Sequence, residues 1–412
     1  MDIGIVGGGA SGMFLASKLK KSKNVSITLI ERNSKLGKKL LLTGNGKCNF
    51  TNGNFENDSI YNSEFAYNIY KMHGKEELLS FMRDIGIEPK IEIHKGEKYY
   101  YPNTNKSTSV YYALLDRITA NGVKILYDTF INDIKVNDGR FVLLSDRGEF
   151  YFDKLIIATG GNTCKNTGSD GNFYKIIEKL GHNIIRTLPA LCGFSYDDSN
   201  LLMIKGVRID AKVSAIVYNL NNIEREFTEF GEVQFTQNGI SGIPIMNLSR
   251  FVNRYIDDNR RVDLSIDFNC NDEISNSVSI INYLNERKEK IYYKNSRDFL
   301  CGFIPDELAS VIINRCDIKD KLVANLNDNE IRKLAKEITN FKITNVKMPS
   351  IDNAQITVGG VDLKDIDDKS LESKLVKNMY LIGEVLNVDG KCGGYNLQFA
   401  YSSAATVARQ LT

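Results

Sequence analysis

Histidine is scarce in this chain. Three residues occur, at 73, 94 and 182, in no metal-binding spacing. A metal centre and a histidine-based catalytic triad are therefore not expected. Cysteine shows no pairing pattern: seven residues, at 48, 164, 192, 270, 301, 316 and 392, are scattered and odd in number. That usage points to reduced thiols and a cytoplasmic protein. No C-x-x-C occurs, so dithiol–disulfide exchange is not the expected chemistry. No apolar run approaches the ~18 residues that span a membrane. The first apolar run is short and meets glycines at once, unlike a secretory signal. Internal repeats and low-complexity linkers are absent too. The net charge of +2 says little by itself about partners.

What is present starts at residue 3. The run Ile3–Val6 leads into Gly7, Gly9 and Gly12, with Ala10 and Ser11 between the last two. This is G-x-G-x-x-G between a strand and a helix, the pattern of a dinucleotide site. The first glycine permits a sharp turn, the second close approach of a pyrophosphate, the third tight helix–strand packing. The helix N-terminus then offers N–H groups to phosphate. A second apolar run, Val25–Ile30, ends in Glu31 and Arg32. A carboxylate at Glu31 suits the hydroxyls of an adenosine ribose.

With 412 residues, 42% apolar and 25% charged, the chain reads as globular with two or three domains. Helical spacing covers 65–85, 107–121 and 171–181. Strands are expected near 123–127, 130–136, 140–145 and 154–159. From about 190 the period becomes two, at 207–218, 232–237 and 260–268, which predicts an antiparallel barrel or sandwich. Residues 272–337 return to helical spacing, and ITNFKIT (338–344) reads as a strand rejoining the barrel.

The C-terminal segment assigns the nucleotide. A strand ending in Gly383-Glu384 is followed by Gly393-Gly394-Tyr395-Asn396 opening a long helix. This looks like the second cofactor-binding element of two-dinucleotide-binding flavoproteins, its helix dipole directed at a flavin. Thr159-Gly160-Gly161 resembles the A-T-G segment of the same superfamily. The three elements imply one FAD. No second G-x-G-x-x-G follows a strand, so NADH or NADPH is expected to dock only transiently.

Residues 37–52, GKKLLLTGNGKCNFTN, then look like a signature of the BaiN/RdsA (YhiN-like) family of NAD(P)/FAD-dependent oxidoreductases. Further blocks that resemble it are YPNTNKSTSV (101–110), LGHNIIRTLPAL (180–191), FTQNGISGIP (235–244), ITVGGVDL (356–363) and GEVLNVDGKCGGYNLQFAYSS (383–403). Two positions depart from the family pattern. Gln237 stands where histidine is usual, and Ile243 precedes Pro244, so a proton-transfer role for that histidine does not carry over.

The resemblance implies an α/β fold: a Rossmann-like FAD-binding domain of the glutathione-reductase type (1–190 and 345–412). An inserted antiparallel β-barrel takes 191–270 and 338–347, and a small helical subdomain takes 271–337. It also implies flavin-mediated reduction of an electron-poor C=C bond, hydride to the carbon β to a carbonyl and a proton to the α carbon. Family members have been linked to two such substrates: a uridine of 23S rRNA, reduced to dihydrouridine, and a dehydro bile acid with a conjugated ketone.

The 37–52 segment carries the candidate chemistry. Thr43, Gly44, Asn45 and Gly46 signal a turn, whose N–H groups, with Lys39 and Lys47, could line the flavin and attract an anion. Cys48 reads either as a small buried thiol or as a proton donor whose pKa Lys47 lowers. Asn49 and Asn52 could position a carbonyl. Tyr395 either packs on the flavin ring or donates from its hydroxyl. Lys38, Lys47 and Asn52 are the candidate substrate contacts.

Charge bears on the substrate. Residues 1–50 carry a local net of +7. RKEKIYYKNSR (287–297) adds cations beside Tyr292 and Tyr293, either a solvated helix face or a pattern that suits RNA. Three readings follow: a reductase of rRNA, which these lysines favour; a small-molecule enone reductase, which needs a closed apolar pocket between barrel and FAD domain; and a non-catalytic flavin sensor, against which the Cys48 turn weighs. No membrane or metal is expected in any of them.

Overall fold

A computed structural model describes residues 1–55, 58–220, 222–237, 239–269 and 277–411. The chain divides into two compact units: Met1–Leu188 with Gln355–Thr412, and Pro189–Ala354.

The first unit is built on a parallel sheet. Its early strands are β1 (Asp2–Val6) and β2 (Ser26–Ile30), with helices α1 (Ala10–Lys18) and α2 (Lys38–Leu42) following them. A short β3 (Thr51–Asn52) comes next, then α3 (Glu64–Met72) and α4 (Lys75–Asp84). The single helix expected over 65–85 is thus two. His73 ends α3, and Gly74, in extended conformation, caps α4. Glycine interrupts a helix because it gains least from helical confinement. A hairpin that the sequence reading missed follows, β4 (Pro89–His94) and β5 (Glu97–Pro102), turning at Lys95 and Gly96, both at positive φ.

Helix α5 (Ser107–Ala120) and β6 (Lys124–Leu126) lead to a meander of β7 (Ile131–Asn137), β8 (Arg140–Ser145) and β9 (Gly148–Phe152). Then come β10 (Lys154–Ile157), α6 (Tyr174–Lys179) and β11 (Ile184–Ala190).

In the second unit β12 (Arg208–Asn219), β13 (Asn222–Thr236) and β14 (Gly239–Gly242) precede helix α7 (Ile243–Asp257) and β15 (Arg261–Asp267). Helices α8 (Ser277–Lys290), α9 (Asp306–Arg315) and α10 (Asp328–Thr339) follow, then β16 (Phe341–Ile343). The strands form one antiparallel sheet in the order β14-β13-β12-β15-β16. Single bridges join Phe194 to Ile240 of β14, and Ser195 to Lys347 beyond β16.

Two features of this unit differ from expectation. Helix α7 lies inside the segment expected to form the barrel, between the strands expected at 232–237 and 260–268. It starts with Pro244 in its first turn, where a missing N–H costs nothing, and Phe251 stacks on Phe227 of β13 with centroids 5.3 Å apart. The helices after residue 277 also share one apolar cluster with the sheet. Ile331, Leu334 and Ile338 of α10 are buried with Val262, Leu264 and Phe341, so among the described residues α10 packs in one core with the sheet. The boundary expected at 270–271 lies outside the described residues.

The chain closes in the first unit with β17 (Ile356–Val361), β18 (Met379–Leu381) and α11 (Tyr395–Leu411). The parallel sheet has the order β18-β10-β1-β2-β6. Val6 pairs with Ile157 and Ile30, and Ile157 with Leu381. The strand ends of β1, β10 and β18 are therefore level. Helix α11 packs on α1, with Phe14 and Tyr401 edge-to-face at 5.5 Å.

Candidate dinucleotide site

Three glycine-bearing turns leave the C-terminal ends of adjacent strands β1, β10 and β18. Ligands of open α/β sheets bind at that edge. After β1, Gly7 has φ +105°, and a Cβ there would collide with the Ala158 carbonyl. A Cβ at Gly12 would collide with the Gly7 carbonyl, so the start of α1 sits tight on the strand end. At Gly9 a Cβ would meet nothing within 4 Å, and no side chain caps α1. The helix start, with Ala10 and Ser11, therefore has room and donors for a phosphate.

Glu31 is buried. Its carboxylate accepts the Gly8 N–H at 2.8 Å and two hydrogen bonds from Asn33, at 2.8 and 2.7 Å. The Lys38 ammonium donates to the Asn33 side chain at 2.9 Å. Lys38, expected at the substrate, thus stands in the Glu31 network. Arg32 pairs with Asp170 at 2.6 Å and lies 4.8 Å from the Phe130 ring centre.

The turns after β10 and β18 are joined by a polar cluster invisible in the sequence. Lys39 reaches both carboxylate oxygens of Glu384, at 2.9 and 2.8 Å, and the Thr163 hydroxyl at 2.9 Å. Glu384 also accepts the Thr357 N–H at 2.9 Å. Lys39 is therefore neutralised in place and is not a free charge for an anionic substrate. Gly161 is packed where a Cβ would strike the Thr357 hydroxyl, and Gly383 donates its N–H to Ser403 at 3.1 Å.

The 43–49 turn is left-handed at Gly44 (φ 57°), Asn45 (φ 54°) and Gly46 (φ 83°). The Thr43 hydroxyl donates to the Leu40 carbonyl at 2.6 Å, and the Thr43 carbonyl accepts the Cys48 N–H at 3.0 Å. The Cys48 side chain is fully buried in the core of the unit. Burial pushes its thiol up to about 12, against a smaller lowering by the Thr43 hydrogen bond. This corrects the expected activation by Lys47. The Lys47 ammonium instead lies 5.9 Å from the Tyr101 ring centre.

Other candidates are held inside the protein. Asn52 is buried and donates to the Gly393 carbonyl at 3.0 Å, so it is not exposed to a substrate. The Tyr395 hydroxyl donates to the Asn54 carbonyl at 2.9 Å, and burial raises its pKa. Its proton is thus committed to the backbone, contrary to a free-donor role. Asn396 binds the Gly390 backbone through both ends of its amide, at 2.8 and 3.0 Å. Gln237 accepts from Lys205 at 3.0 Å on the second unit.

Among the described residues, the buried side-chain oxygens without a hydrogen-bond partner include three near these turns: Asn49 Oδ1, Thr159 Oγ1 and Ser169 Oγ. A Cβ on Gly394 would come within 2.7 Å of Asn49 Oδ1, and one on Gly160 within 3.2 Å of Ser169 Oγ. Unpartnered buried polar atoms are costly unless a ligand or water pairs them. Thr159 and Ser169 belong to the turn after β10 and Asn49 lies against the Gly393–Gly394 turn, which fits a bound polar group. Among the described residues no cluster of His, Cys, Asp and Glu suits a metal, and no helix is long and apolar enough to cross a membrane.

Fold and turns define a Rossmann-type dinucleotide-binding protein. The chain belongs to the HI0933-like family, whose Rossmann domain it matches over residues 1–410. This is the family that the motifs resemble. A 3-dehydro-bile acid delta(4,6)-reductase of Clostridium scindens is 32% identical, the match covering 99% of this chain and 98% of that one. Ribosomal RNA dihydrouridine synthases of Haemophilus influenzae (27%, over 99% and 98%) and Escherichia coli (26%, over 100% and 98%) also align. The protein is an oxidoreductase.

Proposed function

We propose that the chain binds FAD and uses NADH or NADPH to reduce an electron-poor C=C bond, with a uridine of 23S rRNA as substrate. One observation carries the cofactor: three glycine turns leave adjacent parallel strands, with unpartnered Thr159 and Ser169 oxygens at the turn after β10 and the unpartnered Asn49 oxygen against Gly394. Gly7, Gly9, Ala10, Ser11 and Gly12 would hold the pyrophosphate. Glu31, with Asn33 and Lys38 behind it, would hold the ribose. Thr159, Gly160, Gly161, Gly383 and the Gly393–Asn396 turn would line the rest. Bound there, FAD supplies hydride transfer from NAD(P)H to a carbon conjugated with a carbonyl.

The chain's own part is positioning. The Lys39–Glu384 pair keeps two of the turns together, and Asn52 fixes the Gly393 carbonyl. In the second unit the bridges at Phe194 and Ser195 support reading its sheet as a closed barrel.

For RNA, Tyr292 and Tyr293 favour stacking, at 59% and 64% exposed. A small enone is the second reading, and a specific observation favours it. Lys38, Lys39, Arg287 and Lys288 are all spent on internal contacts, the last two on backbone carbonyls of Phe299, Cys301 and Leu326. The deciding experiment is the dihydrouridine content of 23S rRNA from cells lacking the protein. Wild-type complementation should restore it. Unchanged dihydrouridine, with turnover of a conjugated ketone by the purified protein, selects the enone. FMN in place of FAD in the purified protein rejects the cofactor assignment.

A further inference from the structure

Strand β5 passes both the 43–49 turn and the Gly393–Gly394 turn. Asn52 pairs with Tyr99 and Thr51 with Tyr100. A Cβ on Gly393 would lie 3.0 Å from Tyr99, and one on Gly44 3.6 Å from Tyr101. Tyr99 and Tyr101 therefore stand on the same face of β5, one against each turn. Their hydroxyls differ. Tyr99 donates to Glu97 at 3.3 Å. Tyr395, Tyr61 and Tyr67, nearby, all donate to backbone carbonyls. The Tyr101 hydroxyl has no partner among the described residues, and its side chain is only partly buried.

We propose that Tyr101 is the proton donor of the C=C reduction, with Lys47 beside it stabilising the phenolate that donation leaves. The assignment rests on the reductase reading above. The balance is simple. The β carbon takes the hydride that originates from NAD(P)H, the α carbon takes the Tyr101 proton, and water returns a proton to the phenolate. For a uridine the two carbons are C6 and C5.

The groups facing Tyr101 are Glu92 and Lys90 of β4, Tyr99 of β5, Lys47 of the 43–49 turn and Cys392 before α11. Burial, Glu92 and Cys392 all push the phenol up, so it stays protonated at neutral pH. Glu92 itself is held low, first by its Lys90 hydrogen bond and also by Lys47, which keeps it ionised.

The test compares wild type with Tyr101→Phe, Lys47→Met and Lys47→Arg on undermodified 23S rRNA and on a 3-keto-4,6-diene bile acid. Tyr101→Phe should keep its FAD and its anaerobic bleaching by NADH, and lose about 10²–10⁴-fold in product formation. The wild-type rate should fall on the alkaline side, and that limb should vanish in Tyr101→Phe. Ultraviolet difference titration of the flavin-free protein should lose one phenol ionisation in Tyr101→Phe. That ionisation should move to higher pH in Lys47→Met and return in Lys47→Arg. Wild type inert on both probes overturns the reductase reading and this assignment together. Wild type active with Tyr101→Phe equally active, or Tyr101→Phe devoid of FAD, overturns this assignment alone.

Discussion

Two of the first unit's glycine turns, Gly7–Gly12 and Thr43–Cys48, are opposites in one respect. Both use left-handed backbone. The first faces open space at Gly9 and leaves α1 uncapped, so its donors remain for a ligand. The second turns much of its polar chemistry inward. The Thr43 hydroxyl is bonded to the Leu40 carbonyl and the Cys48 thiol is buried, while Lys39, just before the turn, is paired with Glu384. A residue type suited to catalysis acts only if its neighbours leave it unspent.

The largest expected effect breaks the first turn. Gly12→Val places side-chain atoms against the Gly7 carbonyl. The turn must shift, at a strain of about 1–3 kcal/mol, and the purified protein should carry no flavin absorbance. Gly46→Ala sharpens the contrast. Its Cβ meets nothing within 4 Å, so only the left-handed conformation costs, about 1–2 kcal/mol. Flavin content should stay at the wild-type level.

Second comes Lys39→Met. It strands the Glu384 carboxylate, whose side chain is 22% exposed. Losing one partner of a buried pair costs about 3–5 kcal/mol, and partial exposure puts this case near 3. Urea midpoints should drop accordingly. Adding Glu384→Gln should recover part of the loss. No recovery would mean that Lys39 is not there for Glu384.

The same contrast explains what was legible in the sequence. β1, β2 and β10 were readable because a buried parallel strand writes an apolar run, and the Gly7–Gly12 spacing follows from steric need at three points. The Lys39–Glu384 pair joins residues 345 positions apart, and no local pattern marks it. Helix α7 has its signals in the sequence: Pro244 in its first turn and Ile245, Leu248 and Val252, all buried, at helical spacing. The β4–β5 hairpin was masked because both faces mix charges with apolar residues. Ile91 and Ile93 are 49% and 64% exposed, so alternation there does not report burial.

Cys48→Ala sharpens the comparison at a smaller scale. A fully buried thiol removed from a packed core should cost about 1 kcal/mol. Flavin and turnover should persist, because the thiol is fully buried and does not reach solvent. Loss of turnover with flavin retained would restore Cys48 to the mechanism and displace Tyr101.

The smallest effect lies away from both turns, where α1, α4 and α11 meet. Burial pushes the Glu77 carboxyl up, but the His73 hydrogen bond at 2.7 Å, the charges of His73 and Lys18, and the Tyr401 hydroxyl at 3.0 Å outweigh it and hold the group low. A carboxyl held low when folded stabilises above its unfolded pKa of about 4.3, and that contribution disappears as pH falls through the folded value. Glu77 is 41% exposed, so solvent screening limits the term to about 1 kcal/mol or less. Glu77→Gln should therefore melt slightly below wild type at neutral pH, and the gap should close below about pH 4. A gap that widens in acid would show that the His73 contact, and not the carboxylate charge, holds α3 to α4.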